Sequence, residues 1–221
     1  MWCVPKLTPR FRERMDDVLA LYTEPLPEGH ELHNFDETPK QLLGTPRGSW
    51  AMTIRGKPLR TDYEYERNGR ANVFVAVSPF RGTRTVEVTD RRTAKDTADF
   101  LWGYAMETHG EAEHLHFILD NLNTHTEKCL RKVWGNEKTD AFFKRVTFHF
   151  TPCHASWLNL AELEINCLKT QGMKKRHPTK DALIERIRGI VATRNAERRT
   201  LSWSFTKTKA REKFPALYSM D

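Results

Sequence analysis

A mixed β-sheet flanked by helices, an α/β or α+β arrangement, is the fold class this sequence predicts, and three observations predict it. Strand-like segments crowd the chain upstream of Thr93 with few helical patterns between them, which fits hairpins better than βαβ units. Downstream of Thr93 the periods alternate as helix, strand, helix, strand, helix, helix. The 221 residues are 38% hydrophobic and 29% charged, with twelve Phe and six Trp, so one compact domain can bury a core without a disulfide or structural metal.

Residues 1–10 are punctuated by proline and read as a linker. Phe11, Met15, Val18, Leu19 and Tyr22 follow helical spacing and predict an amphipathic helix ending before Pro25. Pro25, Pro27 and Gly29 break the chain, and a short strand candidate runs into Asp36. Ser49–Ile54 reads as a second strand. The stretch Arg55–Arg70 carries Arg55, Lys57, Arg60, Arg67 and Arg70 together with Tyr63 and Tyr65. Asn68-Gly69 is a turn signal ahead of Ala71–Val77, whose continuous apolarity marks a strand at the centre of a sheet. Thr85–Val88 follows as a strand with Val86 and Val88 on one face.

Thr93-Ala-Lys-Asp96 is a capping-box pattern, and Ala94, Ala98, Leu101, Trp102 and Ala105 form the apolar stripe behind it. His114–Leu119 alternates as a strand and ends in Asp120, and a helix is expected from about Thr126. Val146, Phe148 and Phe150 alternate as another strand, stopped by Pro152. Ser156–Gln171 reads as a helix capped by Ser156 and ended by Gly172. Thr179 caps a last long helix with Leu183, Ile184, Ile187, Ile190 and Val191 on its buried face.

A formal net charge of +7 favours polyanionic partners, because each neutralised phosphate releases a condensed counterion. Cys3, Cys129, Cys153 and Cys167 are scattered without a CxxC pair or zinc-finger spacing, so free thiols in a reducing compartment are expected. No apolar run approaches the ~18 residues that span a bilayer, and the N-terminus lacks the apolar stretch of a signal peptide. A cytoplasmic protein with no membrane partner is the expectation.

Asp36 and Asp120 each follow a strand-like segment, and Glu162 lies one turn inside the helix after the Val146–Phe150 strand. Ligands bind at the carboxyl ends of strands in open sheets. Three acids brought together there would repel: two unit charges ~4 Å apart cost about 4 kcal/mol at an effective dielectric near 20. Protons or cations must neutralise such a cluster, and an all-oxygen set suits Mg²⁺ or Mn²⁺ rather than zinc. A pair of such ions can activate an attacking oxygen and stabilise the leaving one in phosphodiester chemistry. Spacing alone leaves the plainer reading open, in which Asp36 and Asp120 are turn formers or helix caps.

The words around these acids are FDETPKQLL at Asp36, LDNLNTH at Asp120 and HFTPCHASWLNLAELEIN at Glu162. With YEYERNG at Tyr63–Gly69 and the ending WSFTKTKAREKFPALY, they resemble the bacterial insertion-sequence transposases related to mariner elements, in the DDE transposase and integrase superfamily. The likeness runs in order through nearly the whole chain, and DNxxxH followed by HxSWLNxxE carries it most specifically.

The resemblance implies an RNase H-like fold with a mixed five-stranded sheet, in which residues 29–200 form the catalytic domain. Residues 1–28 would then be a leading linker and helix, and 201–221 a C-terminal extension. It implies that Asp36, Asp120 and Glu162 are both the catalytic triad and the ligands of two Mg²⁺ ions, with Mn²⁺ able to substitute. The implied reaction is cleavage at the transposon end followed by attack of the freed 3′-hydroxyl on target DNA. Double-stranded DNA and a second copy of the chain, in a synaptic dimer, are the implied partners, in a bacterial cytoplasm at the nucleoid.

Glu164 competes with Glu162, since residues two apart on a helix diverge by about 200° and periodicity favours neither; the WLNxxE match selects Glu162. Asn121 and His125 are placed to orient a phosphate or a coordinated water, or else form a turn and a helix cap. Glu37 reads as a solvated neighbour, and Trp157 as a packing residue. Arg55, Lys57, Arg60, Arg67 and Arg70, interleaved with tyrosines, are the expected DNA-gripping segment. Relatives of this kind carry a helix-turn-helix region that reads the transposon end; only a linker and one helix precede Asp36, so that reader is expected to be missing here. The Asp120-to-Glu162 interval is long, with residues 135–145 the expected insertion. Two rival functions remain: a catalytically silent DNA-binding remnant, and a general RNase H-like nuclease.

Overall fold

The structure, a computed structural model, describes residues 7–46 and 63–219. The expected strand at Ser49–Ile54 and the basic residues Arg55, Lys57 and Arg60 lie outside the described residues. No helix among the described residues is long and apolar enough to cross a membrane.

Helix α1 (Pro9–Thr23) begins where the Thr8 hydroxyl accepts the Phe11 N–H at 3.1 Å, with Pro9 in the first turn, where no N–H is needed. It buries Phe11, Met15, Val18, Leu19 and Tyr22, the expected stripe. Strand β1 (His30–Gly44) is much longer than its weak alternation suggested, and Asp36 lies inside it rather than after it. The cause is pairing. Strand β2 (Glu66–Ser78) runs antiparallel along β1 from Asn34 to Gly44 and supplies ladder partners that side-chain patterning does not announce. Pro39 is tolerated because the parallel neighbour on the other side of β1 pairs only as far as Asn34, which leaves Pro39 on an open edge.

Asn68-Gly69 does not turn the chain. Gln41 pairs with Arg70 and Leu43 with Arg67, so two steps on β1 face three on β2. The extra residue forms a bulge, and Gly69 takes a φ of +93° that side-chain-bearing residues avoid.

Strand β3 (Thr83–Thr89) pairs antiparallel with β2. Helix α2 (Ala94–Trp102) carries the full capping box between Thr93 and Asp96 and continues into a π-helical turn, Gly103–Thr108. Strand β4 (His114–Leu119) lies parallel to β1, and β5 (Val146–Phe150) parallel to β4. Between them stand α3 (Glu127–Trp134), capped by Thr126, and α4 (Asn136–Phe143). The segment read as an insertion is therefore helical, and its Phe142 is fully buried.

The expected helix Ser156–Gln171 is divided. A 3₁₀ turn, Ser156–Leu158, precedes α5 (Leu160–Leu168), and a π-helical turn, Lys169–Met173, follows it. Asn159 rather than Ser156 caps α5, its side-chain oxygen accepting the Ala161 N–H at 3.1 Å. Helix α6 (Lys180–Ala196) is capped by Thr179 as expected, and α7 (Lys207–Lys213) and α8 (Pro215–Tyr218) end the chain.

The result is a mixed five-stranded sheet in the order β3-β2-β1-β4-β5. Because side chains alternate along a strand, β1 serves two cores. Phe35 joins Phe74, Phe117, Leu101 and Leu130 on the face covered by α2, α3 and α4. Leu32 joins Ile118, Leu158 and the buried stripe of α1 on the other. Ala210, Leu217 and Trp203 from the C-terminal segment pack into that same α1 cluster. A third cluster binds Val73 and Val75 of β2 to α5 and α6 through Ile165, Leu168, Leu183 and Ile187.

Candidate active site

Strand register brings the first two acids together. In the parallel β1–β4 pair Asn34 is level with Ile118, so two steps further Asp36 is level with Asp120. Strand β4 ends at Leu119, whereas β1 continues, held by β2 with Asp36 opposite Val75. Asp120 thus sits at the carboxyl end of β4 beside the point where β1 loses its parallel neighbour, the kind of crevice where open sheets bind ligands.

The third acid is delivered by α5, whose first turn is bolted to β1. The Asn159 amide donates to the Phe35 carbonyl at 2.8 Å, and the Asn34 amide donates to the Asn159 side-chain oxygen at 3.3 Å. Tyr22 of α1 donates to the Leu158 carbonyl at 2.7 Å and accepts from Asn34 at 2.5 Å. All of Tyr22, Asn34 and Asn159 are buried, so these bonds fix the helix start against the backbone next to Asp36. Glu162 falls three residues after the cap and is close enough to Asp36 to raise its pKa. Glu164 is elsewhere. It is fully buried, accepts two hydrogen bonds of 2.8 Å from Arg194, and has Arg84 at 3.3 Å.

Asp36 is strongly perturbed. Burial first, then the charges of Asp120, Glu37 and Glu162, push its carboxyl up to about 7, against the pull of the Glu37 N–H, which donates to Oδ1 at 2.8 Å. Acids distant in sequence therefore share one electrostatic neighbourhood. They do not close into a tight knot: among the described residues, the one group of three His, Cys, Asp or Glu whose ligand atoms lie within 4.8 Å of one another is elsewhere. An open, mutually repelling, all-oxygen set, with Asp36 half-buried and raised in pKa, fits hard divalent cations.

Glu37 is not solvated. Its side chain is 3% exposed, because the odd-numbered face of β1 that carries Phe35 carries Glu37 too. His125, wholly buried with its ring 5.2 Å from that of Phe35, lies between two carboxylates. Its Nδ1 is 2.8 Å from Asp120 Oδ1 and its Nε2 3.2 Å from Glu37 Oε2. Burial alone would lower the pKa of His125, but these two acids raise it to about 9, so it is a cation at neutral pH. Asn121 is committed differently: its amide donates to the Thr151 carbonyl and its oxygen accepts from Arg14, both at 2.6 Å, tying the ends of β4 and β5 to α1.

Of the basic residues, Arg67 and Arg70 are exposed at the start of β2. Tyr65 beside them is half exposed, with the guanidinium groups of Arg67 and Arg176 within 6 Å of its ring (5.9 and 5.8 Å). A groove of about 480 Å³ next to Asp120 was not anticipated; Arg10, Arg14, Asn121, Cys153 and His154 line it. Arg10 and Arg14, four apart on α1 and so on one face, were the available signal.

The sequence matches the family described as DDE superfamily endonuclease over residues 31–184. No curated protein matches it. Among solved structures, the Mos1 mariner paired-end complex with Mn is 14% identical with a TM-score of 0.59, the match covering 90% of this chain and 60% of that one. The Mos1 strand transfer complex is 13% identical with a TM-score of 0.58, covering 87% and 57%. The mariner Mos1 paired-end complex with Mg is 14% identical with a TM-score of 0.56, covering 98% and 66%. At these identities the likeness is one of fold, and the chain spans about 60% of the length of the first of these neighbours.

Proposed function

The chain belongs to the DDE superfamily of endonucleases and has the RNase H-like fold of the mariner transposase catalytic domain, and from that premise we propose that it cuts DNA at transposon ends and joins them to target DNA. What supports the reading most is the electrostatic convergence at Asp36, a half-buried carboxyl that feels both Asp120 and Glu162 although 84 and 126 residues separate them from it. In this reading residues 29–200 are the catalytic domain, flanked by 1–28 and 201–221. Double-stranded DNA is the substrate, and two copies meet in the synaptic complex.

Asp36, Asp120 and Glu162 would hold two Mg²⁺ ions, or Mn²⁺. Bound there, the pair would activate the attacking oxygen and stabilise the leaving one in an in-line displacement. The protein's part is placement. Oδ1 of Asp120 is already occupied by protonated His125 and by the Leu122 N–H at 3.2 Å, which leaves Oδ2 as the oxygen presented to the cleft. Oδ1 of Asp36 is held by the Glu37 N–H in the same manner. The rigid Asn159 cap fixes where Glu162 begins its approach. His125, acting through Asp120, is a positioning residue. Arg10 and Arg14 in the groove beside Asp120, with Arg55, Lys57, Arg60, Arg67 and Arg70, would neutralise the phosphates of the bound strand.

Nicking of supercoiled plasmid tests this reading. We expect nicking in Mg²⁺ or Mn²⁺ but not in EDTA, with loss of at least about a hundredfold in Asp120→Asn, a substitution that preserves shape. Strand transfer of a precleaved oligonucleotide end then separates a transposase from a general nuclease of the same fold. Nicking that survives in Asp120→Asn would overturn the assignment.

A further inference from the structure

We propose that Glu31, His33 and His109 form a second metal site, which takes one Zn²⁺ per chain and is separate from the carboxylate cleft. Glu31 and His33 are two apart on β1 and so project from one face, the face of Phe35; Asp36, an odd number of steps away, projects from the other. His109 arrives from the π-helical turn Gly103–Thr108, whose closing bond runs from the His109 N–H to the Tyr104 carbonyl at 3.1 Å. That wide turn stacks Tyr104 and His109 on the same side, ring centroids 4.5 Å apart, and aims both at His33.

The spacing is that of a coordination shell. Glu31 Oε2 lies 3.3 Å from His33 Nε2 and 3.0 Å from His109 Nδ1, and all three atoms fall within 4.8 Å of one another. Ligands at ~2.05 Å around a tetrahedral ion are ~3.3 Å apart, which the two separations from Glu31 Oε2 approach. His33 is fully buried, and its Nε2 faces Glu31 Oε2 at 3.3 Å without the alignment of a hydrogen bond. A buried ring nitrogen held only by this loose contact has room for a better-placed partner.

The supports around the three ligands are those a metal site uses. The Tyr104 hydroxyl stands 2.8 Å from His33 Nδ1. With Nδ1–H donating to that hydroxyl, Nε2 keeps its lone pair toward the cluster. Glu31 divides its oxygens: Oε1 is taken by Arg81 at 2.6 Å, which leaves Oε2 as a single-oxygen ligand. Two imidazoles and one carboxylate oxygen form a set that Zn²⁺ accepts, with a fourth position left for water. His109, 11% exposed, is the most solvent-accessible of the three ligands.

Equilibrium dialysis of the full chain against Zn²⁺, and Co²⁺ absorption as a probe of ligand geometry, test the site directly. We expect one retained Zn²⁺ per chain and a Co²⁺ spectrum of tetrahedral intensity. Both should weaken at least about tenfold in His109→Ala and in Tyr104→Phe, which keeps the ligands but removes the Nδ1 anchor, and both should persist in Asp120→Asn. Should His109→Ala fail to fold, Tyr104→Phe and the wild-type stoichiometry still decide. No retained Zn²⁺, or retention that ignores both substitutions while Asp120→Asn abolishes it, would overturn the proposal and leave a hydrogen-bonded polar cluster.

Discussion

Arg194 grips Glu164 from both sides of its carboxylate, Nε to one oxygen and Nη2 to the other at 2.8 Å each, and so removes Glu164 from any part in the cleft. Arg84 adds a second cation at 3.3 Å, and its own guanidinium donates to the Arg194 and Arg199 carbonyls at 2.9 Å. The network locks α5, α6 and β3 together. Glu162, two residues earlier and about 200° round the helix, lies instead within electrostatic reach of Asp36.

The two glutamates should therefore fail differently when changed. Glu164→Gln strands two buried arginines and is expected to lower stability by about 3–5 kcal/mol in urea unfolding. Glu162→Gln should leave the unfolding midpoint within about 0.5 kcal/mol of wild type while abolishing nicking. Equal destabilisation of both variants would contradict the division of roles.

His125 holds Asp120 and Glu37 apart and oriented. His125→Gln keeps one hydrogen bond but leaves the buried Glu37 carboxylate and the half-buried Asp120 without a cation, so a loss of about 2–4 kcal/mol in stability is expected. A structural role alone would not alter metal dependence. We expect the Mg²⁺ concentration for half-maximal nicking to rise about 10–100-fold in the folded variant, measured by titrating Mg²⁺ at fixed DNA.

A histidine ladder on the sheet gives a pH signature. His116 stands 3.0 Å from both His30 and His149, with His149 held by Asp17 at 2.8 Å and the His114 ring tilted against that of His116, centroids 5.1 Å apart. Burial, then the neighbouring imidazoles His149, His114 and His30, depress His116 to about 4, with Asp17 pulling weakly the other way. Between pH 6.5 and 4 the unfolded chain takes up a proton that the native chain refuses, so stability falls as pH falls through that window. His116→Gln should flatten this slope in pH-dependent urea unfolding. An unchanged slope would show that other groups govern it.

Arg67 and Arg70 sit exposed on the bulged start of β2, beside the half-exposed ring of Tyr65. Each Arg→Ala change should weaken DNA binding uniformly across sequences and reduce the steepness of the log K versus log salt plot by about 1. Fluorescence anisotropy at several salt concentrations measures both quantities. A slope that does not change would remove these residues from the DNA contact.

Much of this architecture was legible in the chain because it rests on local chemistry. The Thr93–Asp96 capping box, the Thr179 cap, the His114–Leu119 and Val146–Phe150 alternations and the α1 stripe all appear where residue spacing put them. What escaped depends on partners far away. The full length of β1 is set by its antiparallel ladder with β2, and Asn68-Gly69 became a bulge because both flanking segments already belonged to one strand. Glu37 looked solvated because no rule of spacing predicts that His125, 88 residues on, would meet it. Asn159 stands in the WLNxxE word, but its bond to the Phe35 carbonyl joins residues 124 apart and follows from tertiary packing, not from local spacing. The same holds for Glu31, His33 and His109, which share no recognisable spacing and are gathered by a strand and a π-helical turn.

Anomalous scattering from a crystal soaked in Mn²⁺ probes the cleft most directly. Peaks bounded by the carboxylates of residues 36, 120 and 162, absent in Asp36→Asn crystals, are the predicted result. Manganese bound only at other surfaces, with Glu162 turned away from the two aspartates, would contradict the enzyme reading.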